Sequence, residues 1–538
     1  MYVVRKYHQQ IDRFISSASP GAFLRVFVLL LFVLAALSAL VFKFGAPAMN
    51  GRPWDTPVIL DGAWRIVTGQ VPHRDYYNYF GDLPFYLTSL GMKLGRPSIA
   101  AIDYGNALLM TALVIPAFVV LKRRTSALPA FLYCLFIALL IITPKPMGDP
   151  YDCTDHAMLY NRHGEAFIAL LGIIVFLPPR LSFANRWATR AEAVLAGFIL
   201  MALLGCKLNY FVVGVAFFCV ACVTGRIRIG WALLSAFSCV VFLAIALVLS
   251  KIPLAELIKD YRMMSACQSF GSRLRGLIVQ GIKSVWLLPL LLLPVWESQL
   301  AEGERLGQRP TPWRHLVVIV VIYGCAALLI SSNCQIGEMP LLALAALYGA
   351  ELIQRHSSTT PEPPIFATAR HLGAVLLFLL FLLPSIIIDI KTVRFATYAA
   401  IRKEGDSTET LQSTCLNDFR FVRGGTRYAY MQTYMASLDE GIQLLRRHSN
   451  PQMRLNVLLF SDPFHIALGL VPATGGLVSL DGLCKASHPP LSRLRGNATH
   501  LLVDRGCQTF HEVYGTEWDA LHLQVVEETK NYTLFRIP

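Results

Sequence analysis

Carboxylates are concentrated between residues 52 and 84, in the stretch RPWDTPVILDGAWRIVTGQVPHRDYYNYFGDLP. This stretch lies between two long apolar runs, and its acids are Asp55, Asp61, Asp75 and Asp82. A carboxylate within hydrogen-bonding reach of a hydroxyl can remove its proton as that hydroxyl attacks an electrophile. The stretch is therefore the first place to look for a catalytic acid or base.

Asp55 and Asp61 fall in one segment of helical length, DTPVILDGAWRIVTG. Its apolar stripe, which we expect to face the membrane surface, comprises Val58, Ile59, Ala63 and Ile66. Asp55 opens the segment, where an Asp is also favoured as a simple helix cap. Asp61 follows six residues later, about 240° further around the helix, so the two acids are not expected to form a dyad.

Asp75 is the second candidate acid and stands in HRDYYNYFGD, a stretch rich in aromatic residues. The neighbouring rings are Tyr76, Tyr77, Tyr79 and Phe80. These rings can stack on the faces of a substrate, with Tyr77 as the chosen candidate, or form the aromatic belt that lines most membrane interfaces.

A second polar stretch, GDPYDCTDHAMLYNRHGE, carries several acids and histidines. They are Asp149, Asp152, Asp155, His156 and His163. Such residues can bind a divalent metal, but their spacing follows no regular ligand motif. We therefore expect neither a metal nor another cofactor.

The elements that position these residues are predicted from composition. Of the 538 residues, 55% are hydrophobic and 15% are charged, whereas soluble proteins carry roughly 25% charged residues. The composition is that of a membrane protein. Much of the net charge of +14 lies in short loops between apolar runs, which indicates membrane topology rather than nucleic-acid binding.

Eleven apolar runs are candidate membrane helices of a polytopic α-helical protein. They lie near residues 23–43, 99–121, 127–143, 164–178, 191–206, 208–224, 229–249, 284–296, 315–331, 340–353 and 371–389. Arginine and lysine cluster in alternate loops, which places the N-terminus in the cytoplasm and predicts extracytoplasmic loops at 44–98, 144–163 and 250–283.

Residues 1–389 thus form the predicted membrane domain, and 390–538 have the composition of a small soluble α/β domain on the extracytoplasmic side. TRYAYMQTYMASLDEGIQLLRRH predicts a helix, and RLNVLLFSD, THLLVDRG and YTLFRI predict strands. Asp462 and His465 fall on predicted loops there and are expected to be structural.

The order of these features resembles the first extracytoplasmic loop of the GT-C glycosyltransferases. That superfamily includes protein mannosyltransferases and the aminoarabinose transferase that modifies lipid A. The resemblance rests on one membrane segment, then Asp55 opening an interfacial helix, then Gly69, and then VPHRDYYNYFGDLPFYL with Pro84 before the next apolar run. Many members have a second acid beside the first, where this chain has Thr56.

The resemblance implies a GT-C-like fold in the bacterial inner membrane. It also implies transfer of a sugar from a polyprenyl-phosphate donor to a lipid, glycan or protein acceptor. Asp55 would be the general base, and cationic side chains would bind the phosphate leaving group. The candidate cations are Arg74, Arg162, Lys207, Arg273 and Arg275.

Each cation has an ordinary alternative. Lys207 could extend to the interface, Arg273 and Arg275 could bind lipid headgroups, and Arg162 could pair with an acid such as Glu165. For the whole chain, the alternatives are a transporter or lipid flippase and a polysaccharide polymerase or ligase. The predicted helix centres carry few ionisable residues, which favours an enzyme at the outer interface over a transporter.

Overall fold

The computed structural model describes a mostly helical chain. The described residues are 19–78, 80–180, 186–265, 270–306, 313–333, 338–357, 364–401, 408–411, 416–425, 427–479, 489–505, 514–515, 517–519 and 521–538. The helices of the first 401 residues are α1 Pro20–Phe44, α2 Asp55–Val67, α3 Leu83–Leu94, α4 Ala100–Lys122, α5 Ala127–Ile142, α6 Leu159–Phe176, α7 Arg186–Cys206, α8 Leu208–Val223, α9 Ile229–Ser250, α10 Leu254–Ser265, α11 Phe270–Ser284, α12 Leu287–Leu306, α13 Trp313–Ser332, α14 Leu342–Ser357 and α15 Pro364–Ile401.

Every predicted apolar run falls on a helix, but fewer helices are long and apolar enough to cross a membrane. Among the described residues six qualify: Pro20–Phe44, Ala100–Lys122, Arg186–Cys206, Ile229–Ser250, Trp313–Ser332 and Ala369–Ile401. A seventh is possible if Leu274–Ser284 and Leu287–Trp296, which meet at a bend of 72°, act as one span. Helices α5 and α8 have only 16 residues each. The chain is an integral membrane protein, and the count of eleven spans stays a prediction.

Helices α1 and α9 show which surfaces meet the lipid. In each, only 11% of the most apolar window is buried within the protein. Phe32 on α1 and Phe237 on α9 are among the exposed large side chains. Helices that leave such side chains uncovered are stable only where acyl chains cover them.

Helix α2 packs beneath the C-terminal part of the chain. Val58 and Ile59 are buried in one core cluster with Phe85 of α3 and Phe464. The Trp64 indole donates to the Leu470 carbonyl at 2.8 Å. The apolar stripe of α2 therefore faces protein, and the expectation that it lies on the membrane surface is wrong, because these aromatic side chains cover it.

The C-terminal elements are β1 Thr408–Thr410, β2 Arg420–Val422, α16 Tyr428–His448, β3 Leu455–Leu458, α17 Phe464–Leu468, α18 Leu491–Arg495, β4 His500–Asp504, β5 Gln524–Glu528 and β6 Tyr532–Arg536. Four strands form a sheet in the order β3-β4-β6-β5, in which only β3 and β4 are parallel. Helix α15 continues past Asp389, where the composition changes, to Ile401. That residues 390–538 form a separate extracytoplasmic domain stays a prediction.

Candidate functional site

Asp55 lines a small pocket at the N-terminal end of α2. Trp54 occupies the cap position without a side-chain cap hydrogen bond, so Asp55 is the first helical residue rather than the cap. The other lining residues include Phe80, Gly81, Pro84, Phe85, Met158 and Tyr160. The cavity measures about 20 Å³, which is room for one water molecule or hydroxyl group.

Gly81 brings this pocket against the turn that carries Lys207. A Cβ atom at Gly81 would lie 2.0 Å from the carbonyl oxygen of Gly205, so only glycine permits the approach. Lys207 is the residue between α7 and α8, as the tight GCKLNY turn predicts. The first loop and the Lys207 turn are thereby in direct contact.

Tyr160 is near both Asp55 and Lys207. It lines the Asp55 pocket, and its ring centre is 5.1 Å from that of Phe80. The Lys207 ammonium lies 5.0 Å from the Tyr160 ring centre, within the range of a cation–π interaction. The structure therefore brings two sequence-predicted site residues, Asp55 and Lys207, near the same aromatic residue.

Amide side chains hold Lys207 on its other side. Its ammonium donates to Asn333 Oδ1 at 2.8 Å, and Asn209 Nδ2 donates to the same oxygen at 2.8 Å. Asn333 Nδ2 donates to the Tyr210 hydroxyl at 3.2 Å. Sequence reasoning missed Tyr160 and Asn333, which lie in segments far apart in the chain and follow no motif.

Asp61 lies in a different environment from Asp55. It is 1% exposed, and its Oδ2 accepts from Arg65 Nε at 2.8 Å. Burial raises the pKa of Asp61 to about 6, although Arg65 opposes the shift. Its neighbours are Asp462 and His465 of the C-terminal part. Its catalytic role stays a prediction, and its contacts are those of a buried structural group.

Asp75 is engaged by its own loop. Arg74 donates two hydrogen bonds to it, at 2.7 and 2.9 Å, and the Val71 amide donates a third at 2.8 Å. Partial burial disfavours its charge, but these hydrogen bonds outweigh the burial and lower its pKa. A carboxyl group with a lowered pKa is a weaker base, and Asp75 stays the second candidate acid.

Tyr77 and the remaining cations lie in several places. Tyr77 is buried, with its ring centre 5.7 Å from the Arg493 guanidinium, and Tyr79 lies outside the described residues. Arg275 is exposed on α11, and the side chain of Arg273 lies outside the described part. Neither Tyr77 nor Arg275 is among the described residues that line the Asp55 pocket.

Arg162 is a buried anchor between helices. It donates to the carbonyls of Leu139 and Leu140 and, at 2.7 Å, to Asp389 Oδ2. Arg162 therefore pairs with an acid, as its ordinary alternative expects, but this acid is Asp389 of α15 rather than Glu165. Its role in phosphate binding stays a prediction.

The acids and histidines of the second polar stretch are paired one by one. Asp155 accepts from the Arg52 amide at 2.6 Å, His156 contacts Asp103 at 3.1 Å and His163 contacts Asn106 at 2.9 Å. Asp149 and Asp155 both contact Arg52 and Cys153. In the described part of the chain, the residues whose ligand atoms converge closely enough to hold a metal are Asp61, Asp462 and His465.

Two adjoining cavities lie among the helices beside the Lys207 turn. One measures about 650 Å³, has Lys283 and Glu338 among its lining residues, and reaches Ile330, one turn before Asn333. The other measures about 760 Å³ and is lined almost wholly by apolar residues of α12 and α15. Leu380 and Pro384 line both cavities. Together they form an apolar groove with a polar end.

No protein-family model and no curated protein matches this chain. Among solved structures, the chain is similar to "Crystal Structure of ArnT from Cupriavidus metallidurans bound to Undecaprenyl phosphate", at 12% identity and a TM-score of 0.47. It is also similar to the apo state of the same protein, at 13% identity and a TM-score of 0.48. Each alignment covers 94% of this chain and 97% of that chain.

Proposed function

We propose that the chain is a membrane glycosyltransferase that moves a sugar from a polyprenyl-phosphate donor to a hydroxyl-bearing acceptor. The observation that carries the proposal is that Tyr160 contacts Lys207 and also lines the Asp55 pocket, while an apolar groove reaches Ile330, one turn before Asn333. A base, a cation and a lipid-sized groove are the three parts that this reaction needs.

Asp55 acts as the general base. The acceptor hydroxyl enters the small pocket, loses its proton to the carboxylate and attacks the anomeric carbon of the donor. The bond from that carbon to the phosphate oxygen breaks, and the lipid phosphate leaves with the bonding electrons. Half-burial keeps the Asp55 carboxylate close to the substrate and still accessible to it.

Lys207 binds the departing phosphate. Neutral amide oxygen and an aromatic face hold its ammonium in place, so the positive charge is oriented before the reaction begins. Such a preorganised cation stabilises the negative charge that develops on the leaving group.

The groove receives the isoprenoid chain. Its polar end reaches Ile330, and its apolar part runs along α15 through Leu376 and Leu380. A hydrocarbon chain in this groove would place its phosphate at the Lys207 end.

The test uses the full-length protein in nanodiscs with a polyprenyl-phosphate probe and a panel of polyprenyl-phosphate sugars. We expect Lys207→Met to weaken binding of the probe, since it keeps the length of the side chain and removes the charge. Asp55→Asn should keep binding but lower the transfer rate by about 10²–10⁴-fold, the usual contribution of a general base.

Asp439→Asn, which changes a half-buried acid of α16, is the matched control and should change neither property. Full transfer activity in Asp55→Asn would remove Asp55 as the base. If none of the three variants nor the wild type bound the probe, and the wild type moved lipid across vesicles instead, the proposal would give way to a flippase.

A further inference from the structure

Three side chains from distant parts of the sequence converge at one point next to α2. Asp61 comes from α2, Asp462 from the loop after β3, and His465 from α17. One ligand atom of each lies within 4.8 Å of the other two. All three residues are buried, with exposures of 1%, 2% and 0%.

The tautomer of His465 is fixed by its outer nitrogen. Nε2 lies 3.0 Å from the Leu455 carbonyl oxygen, which only accepts hydrogen bonds, so Nε2 carries a proton. The inner nitrogen, Nδ1, faces Asp462 Oδ2 and, at 3.9 Å, Asp61 Oδ1. Nδ1 lies within hydrogen-bonding distance of Asp462 Oδ2, so either a proton or a metal ion lies between this nitrogen and the carboxylates.

One oxygen of each carboxylate accepts a hydrogen bond from its own part of the chain. Asp462 Oδ1 accepts from the Phe464 amide at 2.9 Å, and Asp61 Oδ2 accepts from Arg65 Nε at 2.8 Å. Their other oxygens point inward. Within the described part of the chain, Asp61 Oδ1 has no hydrogen-bond partner, and a buried carboxylate oxygen without a partner is energetically costly.

We infer that Asp61, Asp462 and His465 bind a divalent transition-metal ion of the Zn²⁺ or Mn²⁺ class. One imidazole nitrogen and two carboxylate oxygens are a usual ligand set for such ions. A ligating histidine nearly always donates its other N–H to a carbonyl or carboxylate, as His465 does to Leu455. The ion takes the Asp61 oxygen that otherwise has no partner.

The site is structural and independent of the proposed transferase reaction. Asp61 lies on the helix that begins at Asp55, and the other two ligands follow β3, an edge strand of the C-terminal sheet. A metal at this point links α2, which carries Asp55, to that sheet. Loss of the metal would loosen the helix without removing a group that touches substrate.

The first experiment measures the metal content of the wild-type protein. The full chain is purified in detergent with a histidine-free affinity tag and without chelators, and its metals are counted by elemental mass spectrometry. We expect about one equivalent of zinc or manganese per chain. His465→Gln and Asp462→Asn should each lower the content by at least about tenfold.

His448→Gln is the matched control, because His448 also contacts a carboxylate, that of Glu527, but belongs to no converging group. It should keep the full metal content. A second experiment strips the wild type with a chelator and follows its thermal unfolding as metals are added back. The unfolding temperature should rise with the cognate ion in the wild type and stay unchanged in His465→Gln.

Wild-type protein that holds no stoichiometric metal and shows no thermal shift on metal addition would overturn the inference. The positive centre would then be a proton on His465 Nδ1, and the cluster a buried ion-pair network. Both wild-type measurements decide the matter even if the variants fail to fold.

Discussion

Two charged sites that involve residues of the first loop differ in their surroundings. His73 contacts Asp260 through Nδ1 at 2.9 Å and Asp82 through Nε2 at 3.1 Å, and Arg493 donates to Asp260 at 2.8 Å. Asp55, in contrast, lines a small pocket that Tyr160 also lines. We call the first group the His73 cluster and define it as His73, Asp82, Asp260 and Arg493.

The difference indicates that the His73 cluster has a structural role, whereas Asp55 can take part in a reaction. The His73 cluster joins the first loop to α10 and to α18 of the C-terminal part, and its buried charges satisfy one another. Such a group fixes three segments relative to each other. A carboxylate beside a cavity can instead exchange its neighbours for a substrate. The same residue types in one loop thus serve two purposes, and their contacts distinguish them.

Among the variants that test this difference, the largest effect on stability is expected from substitution of Asp260. It is fully buried and contacts both His73 and Arg493, so Asp260→Asn takes one counter-charge from each of two cations and leaves them Asp82 and Glu256. Removing one partner of a buried pair costs about 3–5 kcal/mol. We expect a clear fall in the unfolding temperature in detergent, measured by intrinsic fluorescence, and none in Asp55→Asn. Equal unfolding temperatures for Asp260→Asn and wild type would contradict the structural role.

The next effect is a pH dependence set by His73. Burial disfavours the imidazolium, but Asp82 and Asp260 outweigh it and raise the pKa of His73 to about 9, above the ordinary 6.5. The folded state therefore binds this proton more tightly than the unfolded state. The stabilisation is complete below about pH 6.5 and is lost as pH rises through about 9.

Unfolding temperatures between pH 6 and pH 10 test this dependence, with His73→Gln as the comparison. The groups that face His73 are Asp82, Asp260, Arg493 and Tyr261, whose ring centre lies 6.0 Å away. The wild type should therefore lose stability between neutral pH and pH 9 more steeply than His73→Gln. Parallel curves would show that His73 carries no excess proton.

A smaller effect is expected at Tyr160, on the pocket side of the comparison. Tyr160→Leu removes the ring that faces Lys207, and a cation–π contact is worth about 0.5–2 kcal/mol. Binding of a polyprenyl-phosphate probe should weaken by a few-fold to about thirty-fold, since 1.4 kcal/mol is a factor of ten. Tyr160→Phe keeps the aromatic face and should bind like wild type. Normal probe binding by Tyr160→Leu would show that the Tyr160 ring does not position Lys207 for phosphate binding.

How much of this the sequence predicts depends on whether a feature is local. The helices follow apolar runs, so each predicted run coincides with a helix, and Lys207 lies in the turn that its neighbours predict. Contacts between distant segments leave no such pattern. Asp61 meets His465, Arg162 meets Asp389 rather than Glu165, and Tyr160 meets Lys207 only after the helices pack. Residue spacing in the sequence cannot predict these pairings, because they depend on which helices become neighbours.

The smallest effect is expected where a charge pair of the same loop is open to solvent. Arg74 and Asp75 are paired at 2.7 Å, but the Arg74 side chain is 45% exposed, so water competes for both charges. Exposed pairs contribute about 0.2–1 kcal/mol, and salt screens them further. Arg74→Gln should therefore change the unfolding temperature little, and less at high salt than at low salt. If Arg74→Gln instead abolished probe binding while the unfolding temperature stayed unchanged, Arg74 would belong with Lys207 as a phosphate ligand. The loop would then reach the substrate through a solvent-exposed pair as well as through the Asp55 pocket.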